Sequence, residues 1–230
     1  MKVSISALLC VICFAVSLAM GRPIAIVNFS FENPDVADGT SGSLAPGWTN
    51  TGPGGLVRDP SSAQYANATG NLTPLPGSAD GFQHLSFHVL GAPQVNTTGI
   101  SHQETSEIIT ANTIYLLTVA IGSPLDGNPG IPSIQLTGNG NSLATVFLST
   151  PSGTFTNHSL TFEVLPGNPY IGQVLGIDLQ MTALPQPAVP FNIDFDNVRL
   201  EATAIPEPTI MAALMLCCGL ILMRRPGQHA

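Results

Sequence analysis

The feature that most constrains this sequence is the frequency of turn-forming residues between its two ends. The 230 residues include 23 glycines and 20 prolines, with asparagine, serine and threonine common between them. Glycine and proline interrupt helices, and no long stretch repeats apolar residues at the spacing of an amphipathic helix. The central part of the chain is therefore predicted to be all-β.

Short apolar or alternating runs lie between these turn residues. Eight such runs, each closed by turn chemistry, are typical of an antiparallel β-sandwich of the jelly-roll, galactose-binding-like kind. Two stretches between them, 33–78 and 123–132, are predicted to be loops because Gly, Pro, Asn and Ser dominate them. The predicted strands are residues 24–32, 82–90, 113–122, 133–138, 142–148, 158–165, 175–183 and 190–202.

The last predicted strand changes phase part-way along. Phe191, Ile193 and Phe195 share one parity, whereas Val198 and Leu200 share the other. A strict period of two cannot bury both groups. We therefore expect a β-bulge near Asp196-Asn197, and bulges often redirect side chains at functional sites.

Both ends of the chain carry apolar segments that are predicted to lie outside the sandwich. Lys2, the apolar run 3–18 and the small residues of Ala19-Met20-Gly21 form a signal peptide, residues 1–21, with its own short helix. The alternative, a first transmembrane helix, is disfavoured because the run is short. The exported domain is then 22–204, and 205–230 is a separate segment with a short hydrophobic helix.

The exported domain is strongly acidic. Between residues 22 and 205 there are three arginines, no lysine and thirteen carboxylates, which gives a net charge near −10. Such a field repels nucleic acid and favours divalent cations. All four cysteines lie in the terminal segments, so the domain is expected to have neither a disulfide nor a thiolate zinc site.

The C-terminal segment combines three features. Pro206-Glu207-Pro208 precedes an apolar run, 210–223, which Arg224 and Arg225 end. With the signal peptide, this arrangement resembles the PEP-CTERM sorting signal. The resemblance implies processing by an exosortase, transient membrane attachment through the C-terminal helix, and a final place at the cell surface, outer membrane or extracellular matrix of a Gram-negative bacterium. The rival interpretation is a glycosylphosphatidylinositol signal, which needs no Pro-Glu-Pro and rarely ends in arginine.

The first and last predicted strands also resemble a known pattern. Jelly-roll domains like those of carbohydrate-binding modules open with Asn-x-x-Phe-Glu, continue to Gly-Trp and close on an acidic strand; the matching residues are Asn28, Phe31-Glu32, Gly47-Trp48 and 193–200. The resemblance implies that the terminal strands are neighbours and that Glu32 and Asp196, with Asn28 beside them, hold a structural calcium ion. The alternative is that Glu32 pairs with Arg199 or faces water.

Other candidate residues are few. Tyr65 and Tyr170 lie in predicted loops and are expected to be exposed for stacking on a glycan. His84 and His88 lie about 14 Å apart along one strand, too far to share a metal, and are expected to be ordinary sheet-face residues. Hydrolase motifs such as Gly-x-Ser-x-Gly and His-Glu-x-x-His are absent from the sequence.

These observations predict a non-catalytic surface or matrix protein that associates weakly with exopolysaccharide or biofilm. The alternative is a glycan hydrolase of the matrix, because thirteen acids leave room for a catalytic carboxylate pair.

Overall fold

The computed structural model describes residues 21–61, 64–65, 79–89, 96–150, 152–185 and 190–206. Twelve strands and no helix occur among these residues, which confirms the predicted all-β antiparallel sandwich. The strands are β1 (Arg22–Ile24), β2 (Ser41–Leu44), β3 (Thr49–Thr51), β4 (Leu56–Arg58), β5 (His84–Val89), β6 (Thr97–Ile108), β7 (Thr113–Gly122), β8 (Ile131–Gly138), β9 (Asn141–Phe147), β10 (Phe155–Val164), β11 (Val174–Ala183) and β12 (Phe191–Ala204).

The strands form two sheets. The large sheet has seven strands in the order β10-β7-β12-β5-β4-β2, with β1 paired to β12; the small sheet has five in the order β3-β6-β11-β8-β9. The terminal strands β1 and β12 are antiparallel neighbours, as the jelly-roll resemblance implied. Alternate residues of both sheets face inward, and this inner layer is the hydrophobic core. For example, Tyr115, Leu117, Val119 and Ile121 of β7 are all fully buried.

The phase break in the last strand is the predicted β-bulge. The register between β12 and β7 shifts between Asp196 and Arg199, and Asn197 has a φ of 48°. The extra residue restores the inward direction of Val198 and Leu200, which are 1% exposed like the core residues before the bulge. The prediction of both the bulge and its position is confirmed.

The predicted strand 24–32 is mostly wrong. β1 ends at Ile24, and a turn follows in which Asn28 and Phe31 have φ values of 51° and 55°. Asn28 closes this turn, because its side chain accepts a hydrogen bond from the Asn33 amide at 3.1 Å and donates to the Asn33 carbonyl at 2.6 Å. Asparagine adopts the left-handed region more readily than most residues, and local side-chain bonding competes with the sheet.

The predicted loop 33–78 contains three short strands, β2, β3 and β4, within its described residues. Their runs of three or four residues are too short to show a period of two in the sequence. Strand β6, which pairs with both β3 and β11, was also not predicted, because its inward residues Ser101, Gln103 and Thr105 are polar. Polar inward residues remove the alternation on which strand prediction depends.

Candidate active site

A row of residues on the outer face of the large sheet lies in register across four strands. Phe155 of β10 pairs with Gly122 of β7, Gly122 pairs with Asp194 of β12, and Asp194 pairs with Ser86 of β5. This face points away from the core that contains Ile193 and Phe195. The residues are nevertheless buried: Phe155, Asp194 and Ser86 are between 1% and 4% exposed. The face is therefore covered here and forms a second, partly polar interior.

The centre of this interior is the carboxylate of Asp194. The phenolic hydroxyl of Tyr65 donates a 2.6 Å hydrogen bond to its Oδ2, and the Nε2 of His84 lies 3.3 Å from its Oδ1. Tyr65 and His84 are fully buried. Three buried groups that can each carry or share a proton thus converge on one point, and this convergence makes the cluster a candidate active site.

The charges in this interior depend on one another. Burial is the largest influence on Asp194 and by itself raises the pKa of its carboxyl. The neighbouring His84 and the hydroxyls of Tyr65 and Ser86 together outweigh burial and leave that pKa below its ordinary value. The pKa of Tyr65 lies well above its ordinary value, because burial and the Asp194 charge both disfavour the phenolate. Tyr65 therefore stays a neutral hydrogen-bond donor.

Aromatic rings enclose the carboxylate. The rings of Tyr65 and Phe155 stack with centroids 5.0 Å apart, and His84 lies 5.9 Å from each of them. Gly122 makes room for this arrangement: a Cβ there would lie 2.8 Å from the Tyr65 hydroxyl oxygen and 3.1 Å from the Phe155 ring. Glycine is therefore required at Gly122 for close approach rather than for an unusual φ.

Hydrogen bonding in this interior is incomplete among the described residues. Within them, neither ring nitrogen of His84 has a hydrogen-bond partner, and no donor reaches Asp194 Oδ1 with hydrogen-bond geometry. All three atoms are buried. Buried polar atoms usually have partners, and exceptions concentrate where a ligand or reacting group completes the set.

The predicted calcium ligands lie in an adjacent acidic cluster. Glu32 Oε1 accepts hydrogen bonds from the amides of Phe82 and Gln83 at 2.8 and 2.9 Å, while Asp196 Oδ2 accepts one from Asp80 at 2.8 Å. The two carboxylates are thus held by the same short segment, 80–83. Main-chain amides therefore bind Glu32 Oε1, and none of the ion pairs among the described residues joins Glu32 to Arg199; the side chain is half-buried.

Negative charges are crowded together in this cluster. Burial, and then repulsion from neighbouring carboxylates, raise the pKa of both Glu32 and Asp196 against the effect of their amide donors. Asn28, the third predicted ligand, instead bonds to Asn33 through its side chain. Among the described residues no three His, Cys, Asp or Glu side chains are grouped to hold a metal. A calcium ion here would need main-chain carbonyls or water to complete its shell.

The predicted glycan-stacking residues are not both exposed. Tyr65 is completely buried, so the expectation of a free aromatic face is wrong for it; its hydroxyl is bound to Asp194 instead. Tyr170 is half-buried and packs against the edge of the core.

The signal peptide and most of the sorting motif lie outside the described residues; of the motif, the structure includes Pro206, which is exposed. In the described part of the chain, no helix has the length and hydropathy needed to cross a bilayer.

Sequence reasoning missed the cluster for identifiable reasons. His84 was expected to be an ordinary sheet-face residue, whereas both faces of β5 are buried. Tyr65 and Asp194 are 129 positions apart, and nothing in one sequence pairs them. The glycine that ends the apolar run 113–122 was the one local signal of close packing on the outer face.

Comparison with known proteins adds a family to this geometry. The model of the HpiC1-like family, described as HpiC1 cyclase, matches residues 22–201. The chain belongs to the HpiC1-like family. No curated protein sequence matches the chain significantly.

Similar solved structures include cyclases from Fischerella sp. TAU. A Stig cyclase, Fisc, in complex with (3Z)-3-(1-methyl-2-pyrrolidinylidene)-3H-indole is 25% identical, with a TM-score of 0.64 over 81% of this chain and 100% of that one. Another cyclase structure is 26% identical, with a TM-score of 0.62 over 82% and 100%. A third, in complex with 4-(1H-indol-3-yl)butan-2-one, is 26% identical, with a TM-score of 0.61 over 81% and 100%.

These findings correct the functional expectation. A family of cyclases is a family of enzymes, so the prediction of a non-catalytic matrix protein associated with exopolysaccharide or biofilm is wrong, and so is the alternative of a glycan hydrolase. The prediction relied on the absence of known hydrolase motifs. That absence excludes the hydrolase classes that carry those motifs, but it does not exclude other enzymes, such as one that uses a buried acid. The match ends at residue 201, so the sorting signal and the exosortase remain predictions from the sequence.

Proposed function

We propose that this protein is a cyclase that closes a ring within one substrate molecule, with Asp194 as the group that exchanges a proton with the substrate. The observation that carries the proposal is the buried meeting of Tyr65, His84 and Asp194. Membership of the HpiC1-like family supports the reaction class.

The cluster can perform proton-initiated ring closure without a second substrate. Asp194 and His84 together hold one proton, and its transfer to an unsaturated atom of the substrate leaves a carbocation or iminium ion. An electron pair of the same molecule then forms the new ring bond, and a proton lost from the ring returns to the pair. The net change is an isomerisation, so no atom is gained or lost.

The surroundings suit a cationic intermediate. The carboxylate of Asp194 lies within a low-dielectric site, where an opposite charge is stabilised much more strongly than in water. The faces of Tyr65 and Phe155, whose rings stack at 5.0 Å, can contribute cation–π attraction. Tyr65 fixes the carboxylate through its 2.6 Å hydrogen bond, and burial keeps water from capturing the cation.

The substrate class we propose is an indole-bearing molecule with an unsaturated side chain. Two of the similar cyclase structures hold indole compounds. Tyr65 and Phe155, whose rings stack on each other within the buried site, give it the aromatic character that suits a flat heteroaromatic ring.

Binding and turnover test this proposal separately. For binding, 4-(1H-indol-3-yl)butan-2-one is titrated into the wild type, Asp194→Asn, and Glu163→Gln, a control whose carboxylate is exposed on β10. We expect Glu163→Gln to match the wild type in both binding and turnover. We expect Asp194→Asn to lose turnover of indole-alkene substrates, which is measured as the formation of isomers of unchanged mass. Asp194→Asn with wild-type turnover would refute the role of Asp194.

We also propose that calcium stabilises the acidic cluster of Glu32 and Asp196. The support is the convergence of both carboxylates on segment 80–83 and the mutual repulsion that a divalent cation would relieve. Calcium is expected to raise the melting temperature of the wild type and to have no effect on Glu32→Ala, with Glu163→Ala as the control. A wild-type melting curve that is insensitive to both calcium and EDTA would contradict the proposal.

A further inference from the structure

The described chain begins and ends at the same end of the sandwich. Arg22 of β1 pairs with Ala202 near the end of β12. Beyond that pair, Ala204 is in register with Thr113 at the start of β7, and the Ile205 amide donates a 2.7 Å hydrogen bond to the Asn112 carbonyl. The segments before residue 21 and after residue 206 therefore both continue from this end.

Three exposed apolar side chains cluster at that same end. Ile108, Leu165 and Ile171 are 45%, 55% and 41% exposed, and we call them the apolar rim. Leu165 directly follows Val164, which is in register with Thr113. Ile108 pairs with Val174, and the Gly172 amide donates a 2.9 Å hydrogen bond to the Ile109 carbonyl, which brings Ile171 beside Ile108.

The sequence that continues from this end indicates what covers the apolar rim. The run 210–223 is the short helix of the predicted sorting signal and the run 3–18 is the apolar part of the predicted signal peptide, and segments of both kinds are held in a bilayer before they are processed. Only residues 207–209 separate Pro206 from the first of these runs, a reach of about 14 Å even when fully extended. When either run is in a bilayer, the apolar rim is held close to its surface.

We infer that the apolar rim is a lipid-contacting surface, which orients the sandwich on the membrane that its own terminal segments enter. This inference goes beyond the proposed cyclase function and does not depend on it. The shallow burial of a few apolar side chains gives a weak, reversible contact, which becomes significant because the tether keeps the local concentration of lipid high.

Charge selects the kind of lipid. The only arginine placed at this end among the described residues, Arg22, is paired with Glu107 at 2.7 Å, and Glu163 and Glu201 are exposed nearby. With a domain charge near −10, anionic headgroups would be repelled. The apolar rim therefore fits a zwitterionic surface such as phosphatidylcholine or phosphatidylethanolamine.

The orientation has a consequence for the active site. Gly122, which is in register with Asp194, is at the opposite end of β7 from Thr113. Nine residue steps along a strand amount to about 30 Å. The Asp194 cluster is thus expected to stand about 30 Å from the bilayer surface and to receive its substrate from solution rather than from the lipid.

Site-directed fluorescence tests this orientation in the full-length chain. The four cysteines, which all lie in the terminal segments, are replaced by serine, and a bimane label is placed at Ile171→Cys or Leu165→Cys. The matched control is Leu125→Cys, which is 54% exposed and lies beyond Gly122 at the opposite end. Each protein is reconstituted with phosphatidylcholine vesicles that carry a nitroxide-labelled lipid, and again with added phosphatidylglycerol.

We expect several-fold more nitroxide quenching at positions 171 and 165 than at position 125, and less quenching when phosphatidylglycerol is added. Equal quenching at both ends would overturn the inference. So would a vesicle-bound protein whose labels at 171 and 165 are unquenched, a protein that does not bind vesicles, or a rim that is shielded by a second copy of the chain. Loss of cyclase turnover in any variant would bear on the proposed function and not on the quenching pattern.

Discussion

Replacing Tyr65 with phenylalanine removes one oxygen atom from the centre of the proposed active site. The lost contact is a 2.6 Å hydrogen bond to a buried carboxylate. Hydrogen bonds to charged groups contribute about 1.5–3 kcal/mol. The remaining phenyl ring still fills the space against Phe155, so the change isolates the hydroxyl from the packing.

The expected result is a destabilised but folded protein. For a domain of this size, about 2–4 °C of melting temperature is lost per kcal/mol, so Tyr65→Phe should melt about 3–12 °C below the wild type. Turnover should fall more than binding, because the hydroxyl fixes the carboxylate that exchanges the proton and not the surface on which the substrate rests.

Thermal unfolding followed by circular dichroism gives the first quantity, and turnover of indole-alkene substrates gives the second. Tyr170→Phe is the matched control, because Tyr170 is a half-buried tyrosine at the edge of the core and should change neither. A Tyr65→Phe protein that melts within 1 °C of the wild type would refute the reasoning that this hydroxyl stabilises a buried charge.

Two further predictions follow from other contacts. Gly122→Ala places a Cβ 2.8 Å from the Tyr65 hydroxyl oxygen, so the substitution should cost about 1–3 kcal/mol of stability and reduce turnover. Melting curves measure the first effect and product analysis the second. Wild-type stability together with wild-type turnover would contradict the close approach. The Nδ1 of His102 donates a 2.6 Å hydrogen bond to Asp178 Oδ1, and that bond, against burial, raises the pKa of His102 above its ordinary value. The stability that the His102–Asp178 hydrogen bond contributes is therefore fully present below the unfolded-state pKa of His and declines as the pH rises through the folded-state pKa. His102→Gln should thus destabilise the protein more at pH 5.5 than at pH 8.5. A difference in melting temperature that does not change with pH would count against this pair.

Strand positions were predictable where an apolar run or a strict alternation was clear. The run 113–122 is β7 without any change of boundary, and the bulge at Asp196-Asn197 followed from parity alone. Prediction failed where local interactions replaced alternation. At Asn28, two hydrogen bonds to Asn33 favour a turn over a strand, and no pattern of apolar residues records such bonds.

The candidate active site was less predictable than the fold. Asp194 was visible as one carboxylate of the closing strand, but thirteen acids gave no reason to prefer it. Tyr65 was noticed for its aromatic ring, and the role expected for it was an exposed one. Tyr65 instead donates a hydrogen bond to Asp194, which lies 129 positions later in the sequence. This contact forms only when the loop that carries Tyr65 packs over the sheet.

By itself, the sequence determined the class of this fold, because frequent turn residues and a period of two permit little besides an antiparallel sandwich. It also determined the acidic field and the apolar segments at the two ends. The tertiary structure alone decided which polar residues are buried together. Register across the large sheet aligns Phe155, Gly122, Asp194 and Ser86, and the covering of their outer face converts an ordinary polar side of a strand into a dry site. Burial is a property of the whole arrangement, so the chemistry that depends on it cannot be assigned to any one segment.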